Sequence, residues 1–197
     1  MARKESIRQH REATPTIIGA GITEMWYFQH LQSKYRLRLK LRPRFFGNEN
    51  VGTLEKRIAQ IIADGGRAIV VFDADVSTWN DVERRRLDAP RRKYAKNNHV
   101  LLCDSLPSIE YWFLLHYVNT TRHFGTSKAV VQELTKHIIG FDKTETFLKH
   151  QKWVDDMVAD GRMAEAYNRA KQSTPEASSY TNVWKAIKEL GLTHDTE

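Results

Sequence analysis

The chain has 197 residues, and its 31 Lys and Arg against 24 Asp and Glu give a formal net charge of +7. A chain of this length buries a full core, and 41% hydrophobic with 28% charged residues excludes a disordered protein. The single cysteine, Cys103, excludes an intramolecular disulfide and fits the reducing cytoplasm. No apolar run approaches the roughly 20 residues that span a bilayer, and no secretory signal is present, so we expect a cytoplasmic protein without membrane contact. The basic excess favours a polyanionic partner, nucleic acid first, although many basic proteins bind none.

After a basic lead-in over residues 1–15, the first two predicted strands are short and are joined by a helix. A β-branched run at 16–18 predicts the first strand, and the glycines on either side of Ala20 allow a sharp turn. Glu24 falls in the first turn of the helix that follows, where the helix dipole favours an acid. Residues 36–44 then alternate strictly between leucine and a basic residue, which predicts a strand with one apolar and one very basic face.

The central strand is predicted by the most continuous apolar run of the chain. Residues 54–62 carry helical apolar spacing and end at a pair of glycines. Residues 68–72 are all apolar, which is typical of a strand buried on both faces of a parallel sheet. That strand ends abruptly at Asp73 and Asp75, and an arginine-rich helix is predicted over 79–95.

A fourth strand is predicted at 99–103, followed by a loop at 104–108 and an apolar helix at 109–118. Alternating strands and helices predict an α/β fold of the Rossmann-like kind, with a mostly parallel four-stranded sheet and helices on both faces. We expect no strand beyond residue 120. The predicted organisation is a lead-in at 1–15, an α/β core at 16–120 and a helical extension at 121–197, with helices near 130–138, 147–158, 164–171 and 182–190.

The carboxyl ends of the strands are where sites form in open α/β sheets. Asp73 and Asp75, one residue apart after a buried strand, would repel each other without a cation. Mg²⁺ would resolve that repulsion, because it prefers hard oxygen ligands and keeps waters for phosphate substrates. The alternative is that Asp75 merely caps the next helix or turn.

Glu110 and His116 lie on the apolar helix that follows the fourth strand. Glu110 is either a first-turn acid that meets the helix dipole or a site residue facing the cleft. His116 is nearly two turns further on and could share that side, although a lone histidine on an apolar helix is more often a core residue.

Several basic residues are candidate phosphate contacts, although each is more often part of a solvated face. Two lie on the basic face of the second strand and three on the arginine-rich helix: Arg38, Lys40, Arg84, Arg85 and Arg91.

Six segments follow one another in a specific order and spacing. They are GITEMWYF at 21–28, VFDAD at 71–75, SLPSIEYWFLLHY at 105–117, FDKT at 141–144, AYNRA at 166–170 and SYTNV at 179–183. Together they resemble the RloB family, Toprim-related proteins of bacterial defence loci, over about residues 16–190.

The resemblance implies a Toprim-like fold and a nuclease dependent on Mg²⁺ or Mn²⁺ that acts in abortive anti-phage defence. It favours RNA, such as tRNA, over DNA as the substrate, and it suggests a partner protein from the same locus. It assigns Asp73 and Asp75 as metal ligands, Glu24 as a motif acid, and Glu110, His116, Lys143 and Asn168 as further motif residues, with Lys143 expected to contact nucleic acid.

The chain departs from the family pattern at Ala20. Toprim-like proteins carry a glutamate in the turn after the first strand, as a metal ligand or general acid/base, and a methyl group can do neither. Either the chain is naturally impaired, or Glu24 substitutes as ligand, or Ala20 was engineered to inactivate the protein. We therefore expect little or no nuclease activity from the chain as written.

Two other functions compete with this interpretation. The run around Asp73 and Asp75 resembles the first motif of haloacid-dehalogenase-type phosphatases, in which the first Asp is the nucleophile and the second the acid/base. That motif usually lies near the N-terminus and precedes a glycine, unlike here. The second rival is a nucleic-acid or partner-binding module without catalysis, which Ala20 supports.

Overall fold

A computed structural model of the chain describes residues 14–19, 21–42, 51–74, 81–173 and 179–193, and of 51–53 and 81–87 it describes the backbone only. Its strands form one sheet, and four of them run parallel while the last is antiparallel. The strands are β1 (Pro15–Gly19), β2 (Lys40–Arg42), β3 (Arg67–Asp73), β4 (Val100–Leu106) and β5 (Tyr180–Thr181). Their order across the sheet is β2-β1-β3-β4-β5.

The predicted alternation of strands and helices is confirmed over the first 120 residues. The helices in the described part of the chain are α1 (Ile22–Tyr35), α2 (Val51–Ala63), α3 (Asp81–Tyr94), α4 (Glu110–Leu114), α5 (Ser127–Leu134), α6 (Glu145–Leu148), α7 (Lys152–Val158), α8 (Arg162–Gln172) and α9 (Val183–Glu189). None of the helices in these described ranges is long and apolar enough to cross a bilayer. The fold is therefore a mixed α/β structure built on a mostly parallel sheet.

Several boundaries differ from the prediction. The second strand is shorter than 36–44 because α1 continues to Tyr35 and ends at Arg36, whose left-handed backbone caps it. The fourth strand extends beyond Cys103, and the expectation of a loop at 104–106 was wrong. Those residues are extended because Asp104 and Ser105 pair with the end of β3, and Ser105 and Leu106 pair with β5.

The expectation of no strand beyond residue 120 was also wrong, because the two residues of β5 are too few to show a period. The segment 147–158, predicted as one helix, forms two: α6 ends at Leu148 and α7 begins at Lys152.

The central strand β3 separates two apolar clusters. Its side chains alternate, so that Ile69 and Val71 pack into the larger cluster and Ala68 and Val70 into the smaller one. The larger cluster includes every residue of α4 from Tyr111 to Leu114 and the inner faces of the later helices. This packing fixes α4 directly beyond the carboxyl edge of the sheet, where the site residues gather.

Candidate functional site

Asp73 ends the central strand and faces the start of α4. Its Oδ1 accepts a hydrogen bond of 2.9 Å from the backbone N–H of Ile109, which joins the end of β3 to the segment after β4. Because β3 and β4 are parallel neighbours, their carboxyl ends meet at the same edge of the sheet. Asp73 is thus held at the centre of that edge by a backbone donor.

Glu24 reaches the same edge from the first turn of α1 and is only 4% exposed. Two glycines make room for it. A Cβ on Gly21 would lie 2.9 Å from Glu24 Oε2, and one on Gly19 would lie 3.1 Å from Glu24 Cβ. The turn after β1 therefore leaves space for a carboxylate that folds back over the helix start.

Glu110 is fully buried and is held by three side chains. Ser108 Oγ donates to its Oε2 at 2.5 Å, and Ser127 Oγ donates to the same oxygen at 3.3 Å. Lys143 Nζ lies 2.9 Å from Oε1 and also 3.2 Å from Ser127 Oγ. The Lys143 side chain is 43% exposed, so it joins the buried glutamate to solvent.

Three carboxylates and one ammonium therefore share this edge, and we call Glu24, Asp73, Glu110 and Lys143 the carboxylate cluster. Burial raises the pKa of Glu24 to about 7, with the charge of Glu110 adding to the rise. Burial likewise raises the pKa of Asp73 well above its usual range, and the charges of Glu24 and Glu110 raise it further.

The pKa of Lys143 is also raised: burial opposes the rise, but Glu110, Asp73 and Glu24 outweigh it. One lysine thus faces more negative charge than it can balance.

The donor set suits a hard divalent cation, since buried carboxylates that repel one another gain from one. In the part of the chain that the structure describes, no three His, Cys, Asp or Glu side chains are arranged as a metal site. Asp75 and Ala20, two positions on which the predicted metal site depends, lie outside the described residues. Of the predicted metal ligands, the structure describes Glu24 and Asp73, and both lie at this edge of the sheet.

His116 does not join the carboxylate cluster. It is buried beyond the end of α4, where Nδ1 donates to the carbonyl of Trp112 at 3.0 Å, and its ring meets the Trp112 ring edge-on. Burial lowers the pKa of His116 to about 3, and the charges of Arg162 and Arg169 on α8 act in the same direction. It is a neutral histidine packed toward α8.

The basic residues that were predicted to contact phosphate have different environments. Arg38 and Lys40 are exposed at the sheet edge formed by β2, with Leu39 buried between them, so the predicted alternation is present. The side chains of Arg84 and Arg85 lie outside the described residues. Arg91 is half-buried and forms ion pairs with Asp88 and Asp104.

Asp104, on the neighbouring strand β4, binds a separate set of partners. Its Oδ2 forms an ion pair with Arg91 and accepts from the Tyr180 hydroxyl at 2.8 Å. Its Oδ1 accepts from Asn182 Nδ2 at 2.8 Å. We call Asp104, Arg91, Tyr180 and Asn182 the Asp104 network; it ties α3 and β5 to β4.

Two residues of the site were missed by sequence reasoning. Ser108 lies two positions before Glu110 inside a motif segment, so its position was a usable signal. Ser127 lies outside the motif segments and follows Glu110 by 17 residues. Only the packing of α5 against α4 brings the two together. Lys143, by contrast, was expected from the family resemblance, and it lies in the cluster.

Comparison with protein-family models matches residues 16–190 to the family described as RloB-like protein. Comparisons with curated proteins and with solved structures gave no significant match.

Proposed function

The chain belongs to the RloB-like family, and from that membership and the carboxylate cluster we propose a divalent-metal-dependent phosphodiester chemistry on nucleic acid, RNA before DNA. The observation that carries the proposal is the gathering of Glu24, Asp73 and Glu110 around a single lysine at the carboxyl edge of the sheet. Burying several acids against one cation costs stability, so a functional cation is the simplest reason to keep them.

Asp73, Asp75 and Glu24 are the residues proposed to hold Mg²⁺ or Mn²⁺. When bound, such a cation neutralises charge on a phosphodiester and polarises its phosphorus–oxygen bonds. Lys143, 43% exposed and anchored on Glu110, is placed to contact a phosphate oxygen. Glu110 positions that lysine, and Ser108 and Ser127 fix Glu110 in turn.

Position 20 decides how much chemistry the present chain performs. Position 20 lies between Gly19 and Gly21 and four residues before Glu24 in the sequence, so we propose that a glutamate there would supply a further carboxylate to the site. We propose that the chain binds substrate and cation and cleaves weakly or not at all, and that a partner protein of the same defence locus governs when the intact site acts.

The test is cleavage of end-labelled RNA and DNA in Mg²⁺ or Mn²⁺ by four proteins: the wild type, Ala20→Glu, and each of these with Asp73→Asn. We expect Ala20→Glu to cleave RNA, the wild type to cleave far less, and both Asp73→Asn forms to show none. Asp64→Asn in the Ala20→Glu background is the matched control, because Asp64 is exposed at the far end of the sheet. Equal cleavage with and without Asp73→Asn would contradict the proposal.

Ala20 also favours a second function, a nucleic-acid-binding module without catalysis. That function predicts salt-sensitive binding of RNA by the wild type and no cleavage even by Ala20→Glu. The same four proteins, assayed for binding as well as cleavage, therefore separate the two functions.

A further inference from the structure

A second cavity lies away from the carboxylate cluster, within the helical region. It has a volume of about 400 Å³ and is bordered by the turn after α4, the turn after α5, and α7. A volume of this order matches small-molecule sites, which span roughly 300–1,000 Å³. The proposed catalytic site does not use it.

One wall of the cavity is a pair of parallel rings. Tyr117 and His137 stack with their centroids 5.2 Å apart and their planes at 10°. Tyr117 is half-buried and His137 is exposed, so the outer ring faces solvent. The guanidinium of Arg162, outside the cavity lining, lies 5.7 Å from the centre of the Tyr117 ring. Such a flat, partly exposed wall suits another planar ring.

The floor of the cavity is apolar, and its rim is polar. Ile138 and Trp153 are buried beneath it, and the Trp153 indole N–H is already donated to the carbonyl of Leu148 at 3.1 Å. The floor therefore offers an apolar surface and no further indole donor. His150, Lys152 and Asp156 border the opening. Lys152 Nζ forms an ion pair of 2.8 Å with Asp156, so His150 is the rim side chain placed to meet a phosphate.

We propose that this cavity binds an unpaired nucleobase by stacking on His137. The volume, the parallel rings, the apolar floor and the polar rim each fit a planar heterocycle. The base could belong to a single-stranded stretch of RNA, in which case this inference rests on the proposed function and names the substrate feature it recognises. It could equally belong to a free nucleotide.

The test is fluorescence anisotropy of a labelled, unstructured RNA with the full chain in EDTA, so that cleavage plays no part. We expect His137→Ala to weaken binding about tenfold, within the range that loss of one stacked base gives. His137→Tyr keeps a ring and should bind like the wild type, and Gln132→Ala, exposed on α5, is the surface control. A ribose-phosphate oligomer without bases should bind His137→Ala and the wild type equally.

Competition with AMP and UMP distinguishes the two sources of the base. Displacement of the RNA by a free nucleotide at low concentration supports a nucleotide site, and displacement only by unlabelled RNA supports a substrate site. The proposal is overturned if His137→Ala binds RNA as the wild type does, or weakens the baseless oligomer to the same extent.

Discussion

Asp73 and Asp104 lie on adjacent parallel strands, one residue apart in register, and have opposite surroundings. Asp104 has a partner for each oxygen: Arg91 and the Tyr180 hydroxyl on one side, and Asn182 on the other. Asp73 receives one backbone N–H, and the charges of Glu24 and Glu110 act on it against the single ammonium of Lys143. The two aspartates lie at the same end of neighbouring strands and differ in how many positive or donating groups balance their charge.

That difference separates an acid that stabilises the fold from acids that cost stability. A buried carboxylate with matched donors is part of the structure, and removing it leaves those donors without partners. Buried carboxylates in excess of the available cations gain from a bound cation or a proton instead. We therefore propose the carboxylate cluster as the functional end of the sheet and the Asp104 network as its structural counterpart.

The largest expected effect is on stability when the Asp104 network is broken. Asp104→Ala should lower the free energy of unfolding by about 3 kcal/mol, because it leaves Arg91, Tyr180 and Asn182 without their shared acceptor. Asp73→Asn should leave stability unchanged or raise it, because it removes one of three repelling charges. Urea unfolding of both variants measures the contrast, and equal destabilisation by the two would remove the distinction between the sites.

The second effect is a pH dependence of the metal-free protein. Glu24 has a pKa of about 7 when folded, above the roughly 4.5 of an exposed glutamate. The folded state thus holds its proton more tightly than the unfolded state. This contribution to stability is complete below about pH 4.5 and is lost as pH rises through about 7.

Comparing the wild type with Glu24→Gln isolates that contribution. The free energy of unfolding of the wild type should fall, relative to Glu24→Gln, on the order of 3 kcal/mol between about pH 4.5 and pH 8. Unfolding curves at several pH values in EDTA measure it. Parallel pH profiles for the two proteins would show that Glu24 is not buried among acids.

A smaller effect is expected from Lys143→Met, which removes the one described cation of the carboxylate cluster and keeps its aliphatic stem. Stability should fall by about 1 kcal/mol at about pH 8, since the buried Glu110 side chain loses one of its donors. The loss should shrink at low pH as Glu24 and Asp73, whose pKa values are raised, take up protons. A loss of the same size at every pH would mean that Lys143 contributes by packing alone.

The smallest effect is expected from Ser127→Ala. Ser108 and Lys143 still bind Glu110 in this variant, so the unfolding free energy should fall by about 0.5 kcal/mol. Thr126→Ala is a useful comparison, because Thr126 caps α5 through its side chain and has no contact with Glu110. Thr126→Ala should destabilise the protein at least as much, and any larger effect of Ser127→Ala would mean that it is a main support of Glu110.

The order of the first four strands along the chain could be predicted from the sequence, because the periodicity of apolar residues and the glycines at turns are local signals. The all-apolar run at 68–72 predicts β3 correctly, and the acids at its end point to the site. The same reasoning could not find β5, because Tyr180 and Thr181 become a strand only by pairing with Leu106 and Ser105. The same reasoning ended the predicted fourth strand too early, at residue 103, for the same reason.

The site was predicted in part. Asp73, Glu24, Glu110 and Lys143 come together as the motif segments suggested, since each lies at a strand end, a helix start or a loop beside them. His116 was grouped with them by helical spacing, but the helix ends early and its ring packs against Trp112 toward α8. Arg91 was expected to face a phosphate, and Asp104 binds it instead, a pairing 13 residues apart that no periodicity encodes.

The most direct test of the account is calorimetric titration of the wild type with Mn²⁺ at about pH 8, above the pKa of about 7 of Glu24. We expect saturable binding that Asp73→Asn and Glu24→Gln each weaken about tenfold or more, while the exposed control Asp64→Asn leaves it unchanged. Equal Mn²⁺ affinity in the wild type, Asp73→Asn and Glu24→Gln would contradict the claim that the excess of carboxylates at this edge of the sheet is a cation site.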